Sequence, residues 1–149
     1  MKKNTKAKDY IFAVGRRKEA VARVRLYTGN KKVKIFNNEF EKGRVIVNGK
    51  DVYEYFSLAY YKPVIEKIFR DTDTAEKFTI GAKVEGGGIA SQIDALLLGI
   101  ARAMEKHDHD KYRPVLKSEG YLTRDGRTRQ RRMVGTGGKA RRKKQSPKR

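Results

Sequence analysis

The final 23 residues, Arg127 to Arg149, contain eleven Lys or Arg and no Asp or Glu. Apolar residues in this stretch are confined to Met133, Val134, Ala140 and Pro147. Such a segment cannot bury enough surface to offset its ordering entropy and self-repulsion, so in isolation it is expected to be disordered. Any compact fold must come from the residues before it. The tail itself is suited to lying along a polyanion. Fully extended it spans at most about 80 Å, at roughly 3.5 Å per residue, and so reaches sites remote from the body. Gly135, Gly137 and Gly138 keep part of it flexible, and Pro147 stiffens its end.

The charge of the remaining chain is unevenly placed. The 149 residues carry a formal net charge of +20, of which the tail supplies +11. Residues 1–50 carry +11, residues 51–110 carry −4 and residues 111–126 carry +2. Cations therefore gather at the two ends, and the middle is left to face water or protein. That asymmetry points to a nucleic-acid face rather than a uniformly cationic protein. The length suggests one domain with extensions: a flexible basic N-terminus (1–9), an RNA-binding globular domain (10–126) and the basic tail (127–149). The absence of cysteine excludes disulfides and thiolate zinc sites and fits a reducing compartment. Met1 to Asp9 is Lys-rich without an apolar core, so it does not read as a secretory signal. No stretch approaches the roughly 18 apolar residues of a membrane helix, so a cytosolic protein without a membrane partner is expected.

Within the body, Tyr10 to Val14 is a short apolar run closed by Gly15 and followed by Arg16-Arg17-Lys18. Glu19 to Tyr27 alternates strictly. Ala20, Ala22, Val24 and Leu26 fall on one face and Val21, Arg23, Arg25 and Tyr27 on the other, a strand with one wet or RNA-facing side. Val33–Phe36 and Arg44–Val47 read as strand pieces, and Asn48-Gly49 is a tight-turn signal. Val52 to Phe56 is a short strand or a turn. A helix is expected from Leu58 or Pro63 to about Arg70, burying Ile65, Ile68 and Phe69. Asp71 to Ala75 is a loop and Lys77–Val84 a strand. After Gly86-Gly87-Gly88, a long helix carries Ile89, Ile93, Leu96, Leu97, Ile100 and Met104 as one apolar stripe. A second short helix is predicted from Arg113 or Pro114 to Glu119, closed by Gly120. The pattern is that of an αβ sandwich, a small sheet with helices on one face.

Three motifs bear on chemistry. Gly15 beside three cations permits a bulge or close approach to phosphate, and with Arg23 and Arg25 on one strand face an RNA contact is favoured over an ordinary charged loop. Gly86-Gly87-Gly88, between a strand and a helix, lies where phosphates meet free helix N–H groups. It lacks the ending of a P-loop and the spacing of a dinucleotide fingerprint, so a phosphate-ester enzyme is the weaker alternative to a tight turn. His107-Asp108-His109-Asp110 consists of consecutive residues, not ligands spaced along one helix face, and reads as a solvated helix end rather than a metal site. With no cysteine and no other histidine, nucleophilic triads lack parts, and no catalytic residue, metal or cofactor is expected. Ser146-Pro147-Lys148-Arg149 leaves a DNA-compacting protein as a further alternative.

Several segments together resemble one family. Val14 to Val24, Val47-Asn48-Gly49-Lys50 through Tyr55-Phe56, Val84 to Gly88 with Gly99 to Ala103, Arg113 to Lys117 with Leu122 to Asp125, and Lys139 to Arg149 are similar, in order, to blocks of the ninth protein of the small ribosomal subunit, bacterial type. The resemblance spans nearly the whole chain after Asp9. It implies an RNA-binding structural protein of the subunit head, in a cytoplasmic ribosome, with neighbouring head proteins as partners. The implied fold is a small mixed four-stranded sheet with helices on one face, an uncommon left-handed crossover and a long disordered or extended basic tail.

The candidate contacts to ribosomal RNA are Arg16, Arg17, Lys18, Arg23, Arg25, Gly86, Gly87, Gly88, Arg124, Arg127, Arg129, Arg131, Arg132, Lys139, Arg141 and Arg142. The resemblance further implies that Lys148 and Arg149 reach the anticodon stem-loop of peptidyl-site tRNA. Two departures stand out. The family usually ends in Phe-Ser-Lys-Arg, whereas here Gln145 precedes Ser146-Pro147-Lys148-Arg149. Asn30 to Arg44 is longer than in compact bacterial members, which predicts an extended hairpin or loop.

Overall fold

The computed structural model describes residues 10–29, 33–36, 38–136 and 138. The N-terminus 1–9 and most of the tail beyond Thr136, including Lys139, Arg141, Arg142, Lys148 and Arg149, lie outside the described residues. Those described form seven strands and four helices: β1 (Ile11–Arg17), β2 (Ala20–Tyr27), β3 (Val33–Ile35), β4 (Asn38–Phe40), β5 (Val45–Val47), β6 (Lys50–Asp51), α1 (Val52–Tyr55), α2 (Tyr61–Asp71), β7 (Thr79–Glu85), α3 (Ile89–His107) and α4 (His109–Ser118). The main sheet runs β1-β2-β7-β5-β6. It is mixed: β5 and β7 are parallel and the other pairs antiparallel. The expected four strands are joined by a fifth, the two-residue β6. It returns on β5 through Asn48 and Gly49, whose φ values of 52° and 86° are the double left-handed signature of a tight hairpin turn.

The strict alternation of β2 decides which face is core. Ala20, Ala22, Val24 and Leu26 are fully buried beneath α3, with Ile93, Leu96, Ile100 and Met104 opposite them. The approach is unusually close. A Cβ on Gly15 would lie 1.9 Å from the Ala95 carbonyl oxygen and 2.5 Å from the Gly99 nitrogen; one on Gly99 would lie 2.6 Å from Val24 Cγ2. Gly15 is therefore a packing residue and not a bulge or a seat for phosphate. The β1–β2 register runs unbroken from Ile11↔Leu26 to Arg17↔Ala20. Ile89 departs from the expected stripe. As the first residue of α3 it lies before the helix reaches the core, and it is 52% exposed.

The outer face of the sheet is divided. At one end the β3–β4 hairpin covers Tyr27 and Ile46 with Ile35, and Tyr10, Val33 and Phe40 pack around them. Ile35 sits so near the strand that a Cβ on Gly81 would be 2.9 Å from its Cγ2. The β3–β4 hairpin thus builds a second small core. It also takes Tyr27 out of the wet face on which alternation placed it.

Local chemistry moved other boundaries. Val52–Tyr55 is one helical turn, capped by the Asp51 carboxylate accepting from Tyr53 N–H at 3.0 Å. α4 begins at His109, ahead of the expected Arg113, because Asp108 caps it by accepting from Lys111 N–H at 3.1 Å. Pro114 is carried inside that helix. The His107 to Asp110 run is consequently the joint between two helices. His107 packs edge-on against Phe78 at 5.2 Å.

Candidate nucleic-acid interface

The uncovered end of the outer face collects cations from three strands. Arg16 on β1, Arg23 on β2 and Lys83 on β7 share it, because Arg16 pairs with Val21 and Arg23 with Lys83. Together with Val14, Val21, Glu19, Glu85 and Gly86, Arg16 and Arg23 line a shallow groove of about 360 Å³. Glu85 bridges the other two cations. Its carboxylate accepts from Arg23 Nη2 at 2.7 Å and lies 2.8 Å from Lys83 Nζ. The Lys83 hydrogen bond, aided by the charge of Arg23, holds that carboxyl below the usual carboxylate range. Arg25 lies further along, its guanidinium 5.1 Å from the centre of the Tyr10 ring, while Lys18 occupies the β1–β2 turn with φ 50°.

The glycine turn closes one side of this groove. Gly86 and Gly87 have φ of 75° and 64°. A Cβ on Gly86 would meet the Glu19 carbonyl oxygen at 2.4 Å, and one on Gly87 would meet Ala20 nitrogen at 3.1 Å. The turn is therefore folded tightly onto the β1–β2 turn. Gly88 begins α3 without a side-chain cap, and Gln92 Nε2 donates to Gly86 O at 3.1 Å.

A polar chain braces the turn from behind. Tyr55 OH lies 3.2 Å from Gln92 Oε1, and Asn48 Nδ2 lies 3.3 Å from the same Tyr55 oxygen. Asn48 also acts as an extra strand residue. Its Nδ2 donates to Val84 O at 2.9 Å, and its Oδ1 accepts from Val84 N–H at 2.9 Å. Asn48→Ala should leave both part-buried groups of Val84 without partners and cost about 2–4 kcal/mol, read as a lower urea midpoint at unchanged slope. A loss under about 1 kcal/mol would show that water replaces the amide.

Arg17 faces the opposite way from Arg16. Its side chain is only 14% exposed, and its guanidinium lies 3.5 Å from Asp94 on α3 and 2.9 Å from Asp125. It also donates to the Arg127 carbonyl oxygen at 3.0 Å. Asp125 receives Arg127 in turn, through Nη2 at 2.6 Å and Nε at 3.0 Å. The Arg127 side-chain and backbone hydrogen bonds hold the Asp125 carboxyl well below its usual range; Arg17 adds to them. The described tail beyond this point has no helix or strand. Arg124 before it and Arg129, Arg131 and Arg132 along it are exposed.

Lys83, Glu85 and Asp94 escaped sequence reasoning. Lys83 stands in an apolar strand pattern, and only the β2–β7 register reveals that it is opposite Arg23.

Residues 15–149 match the family model for ribosomal protein S9/S16. The chain belongs to that family. Small ribosomal subunit protein uS9 of Dehalococcoides mccartyi strain 195 is 43% identical over 135 residues, covering 91% of this chain and 89% of the relative. The same-named protein of strain BAV1 is 42% identical over the same shares. As an S9/S16 protein the chain is a structural ribosomal component rather than an enzyme. The tight contacts of Gly86 and Gly87 with Glu19 and Ala20 are packing contacts of the fold.

Proposed function

We propose that the chain binds ribosomal RNA in the head of the small subunit and contacts peptidyl-site tRNA through the end of its tail. The observation that carries this reading is the convergence of Arg16, Arg23 and Lys83 on the uncovered part of the outer face, beside the glycine turn. Lys18 and Arg25 extend the patch at its two ends. Gly86 and Gly87 fold the turn onto Glu19 and Ala20, and Gly88, with open space where a Cβ would stand, lets an RNA backbone pass close to it. Arg124, Arg129, Arg131 and Arg132, then Lys139, Arg141 and Arg142, continue the cationic track. Arg127 offers its outer guanidinium edge. Arg17, largely covered, serves the interface by holding the root of the tail. Lys148 and Arg149 meet tRNA phosphates. These contacts position without reading sequence. The working place is the cytoplasmic ribosome, with neighbouring head proteins around the acidic middle of the chain.

Co-sedimentation with small subunits, at low salt and again near 0.5 M, tests the assembly. Nonspecific cationic binding falls by orders of magnitude over such a rise, because counterion release makes affinity steeply salt-dependent. Retention at one copy per subunit is expected; release into the soluble or DNA fraction overturns the reading. For the tail, subunits lacking Lys148 and Arg149 should bind peptidyl-site tRNA about 3- to 10-fold more weakly, with assembly intact. Unchanged tRNA affinity would remove the tail contact from the mechanism.

A further inference from the structure

The tail does not leave the body as a free tether. Its root is held at two points to different elements. Asp125 takes the Arg127 guanidinium through Nε and Nη2, at 3.0 and 2.6 Å, and accepts Arg127 N–H at 2.9 Å. It also lies 2.9 Å from Arg17 Nη2 on β1, and Arg17 Nη1 reaches past it to the Arg127 carbonyl oxygen at 3.0 Å. Arg17 is in turn 3.5 Å from Asp94 on α3. Side chain and main chain of Arg127 are thus both fastened, to a strand and, through Arg17, to the long helix. Tyr121 anchors the segment upstream by donating to Asp71 Oδ2 at 3.0 Å. A shallow cleft of about 410 Å³, lined among others by Leu97, Tyr121, Asp125 and Arg127, lies beside the fastening.

The electrostatic logic is unusual for this chain. From Arg124 onward every other charged side chain is cationic, and Asp125 is the sole acidic group. Without Asp125, Arg127 would have no carboxylate partner and Arg17 would keep only Asp94, at 3.5 Å, so the two guanidiniums would no longer be drawn together and the root of the tail would loosen. With it, two like charges are drawn to one carboxylate, and the next residues start from a fixed place in a fixed direction. A tether that starts aimed holds its far end at higher effective concentration near a target than one free to swing.

We infer that Asp125 is a positioning residue that sets the exit point and direction of the tail from the S9 body. The inference rests on the proposed tRNA contact for its consequence, though not for its geometry. Its test therefore has two readouts.

The first is the arginine side-chain NMR spectrum of the full ¹⁵N-labelled chain. In the wild type the Arg127 Nε–H, exposed but donated to a carboxylate at 3.0 Å, should give a signal shifted away from those of the other tail arginines. In Asp125→Asn that signal should collapse into theirs, and Asp125→Glu should restore it. Far-UV circular dichroism of the three proteins should superimpose, because Asp125 lies outside every helix and strand. An unchanged Arg127 signal in Asp125→Asn overturns the inference.

The second readout is peptidyl-site tRNA affinity of small subunits carrying each variant. Asp125→Asn should weaken it by about two- to fivefold, the scale of one exposed ion pair and a loosened tether, and Asp125→Glu should not. If deletion of Lys148 and Arg149 lowers the affinity while Asp125→Asn leaves it unchanged, the tail reading stands and the positioning role is overturned. If the deletion has no effect, the tail reading fails, and backbone relaxation of residues 128–136 decides the clamp alone. Loosening in Asp125→Asn then supports it, and identical relaxation overturns it.

Discussion

Gly15→Ala is expected to cripple the fold. The new methyl group would stand 1.9 Å from the Ala95 carbonyl oxygen and 2.5 Å from the Gly99 nitrogen, both backbone atoms of a helix that cannot turn aside as a side chain can. Relief requires α3 to move off β1. Such a shift would also disturb the Arg17–Asp94 pair and the contacts of Ala20, Ala22 and Val24 beneath the helix. Overpacking of a close-packed core costs about 1–3 kcal/mol and sometimes more; with backbone on both sides the upper end is expected. Against a total stability of roughly 5–15 kcal/mol, that is a large share. The thermal midpoint should fall by about 10 °C, at roughly 4 °C per kcal/mol. Gly29→Ala is the control, because among the described residues no atom lies within 4 Å of a Cβ there. A midpoint within about 2 °C of wild type for Gly15→Ala would show that helix and strand have more room than described.

The second large effect concerns RNA. Removing residues 127–149 deletes eleven cations and no acidic group. If about half of them meet phosphates, the slope of log affinity against log salt should flatten by about 4, at roughly 0.7 per contact on single strands. At low salt the shortened chain should bind RNA at least about 100-fold more weakly. The buried core ends before the deletion, its most C-terminal fully covered member being Leu116, so circular dichroism should remain close to wild type. An unchanged salt slope would mean that the tail does not lie on phosphate.

Local patterns made much of the fold legible. Alternation exposed β2, the Asn48-Gly49 pair marked the turn between β5 and β6, and period-3.6 spacing found α3. These signals are intrinsic to short stretches of chain. What stayed hidden depends on partners distant in sequence. Gly15, read beside Arg16 and Arg17, suggests phosphate; its real neighbours are Ala95 and Gly99. Arg16 and Arg17 are adjacent cations of the same motif, yet strand pleat sends one to the outer face and the other to Asp94 and Asp125. Pro114 suggested a helix start, but the Asp108 cap lies further upstream and wins. For the interface, the sequence shows where cations are abundant. It does not show which of them Glu85 and Asp125 engage.

One pair of cations has no part in the proposed RNA surface. β1 is the outermost long strand of the main sheet. Arg102 Nη1 donates to Val14 O at 2.8 Å, and Lys106 Nζ donates to Phe12 O at 2.9 Å. One turn apart on α3, they cover two carbonyls along the free margin of the sheet. An uncovered margin of this kind is a template on which a second chain can add a strand, and growth from there leads to aggregation. A copy waiting to meet RNA presents guanidinium and ammonium groups at that place, and an approaching copy meets repulsion instead of a row of acceptors. Basic side chains thus occupy the acceptors on which a second copy would have to pair.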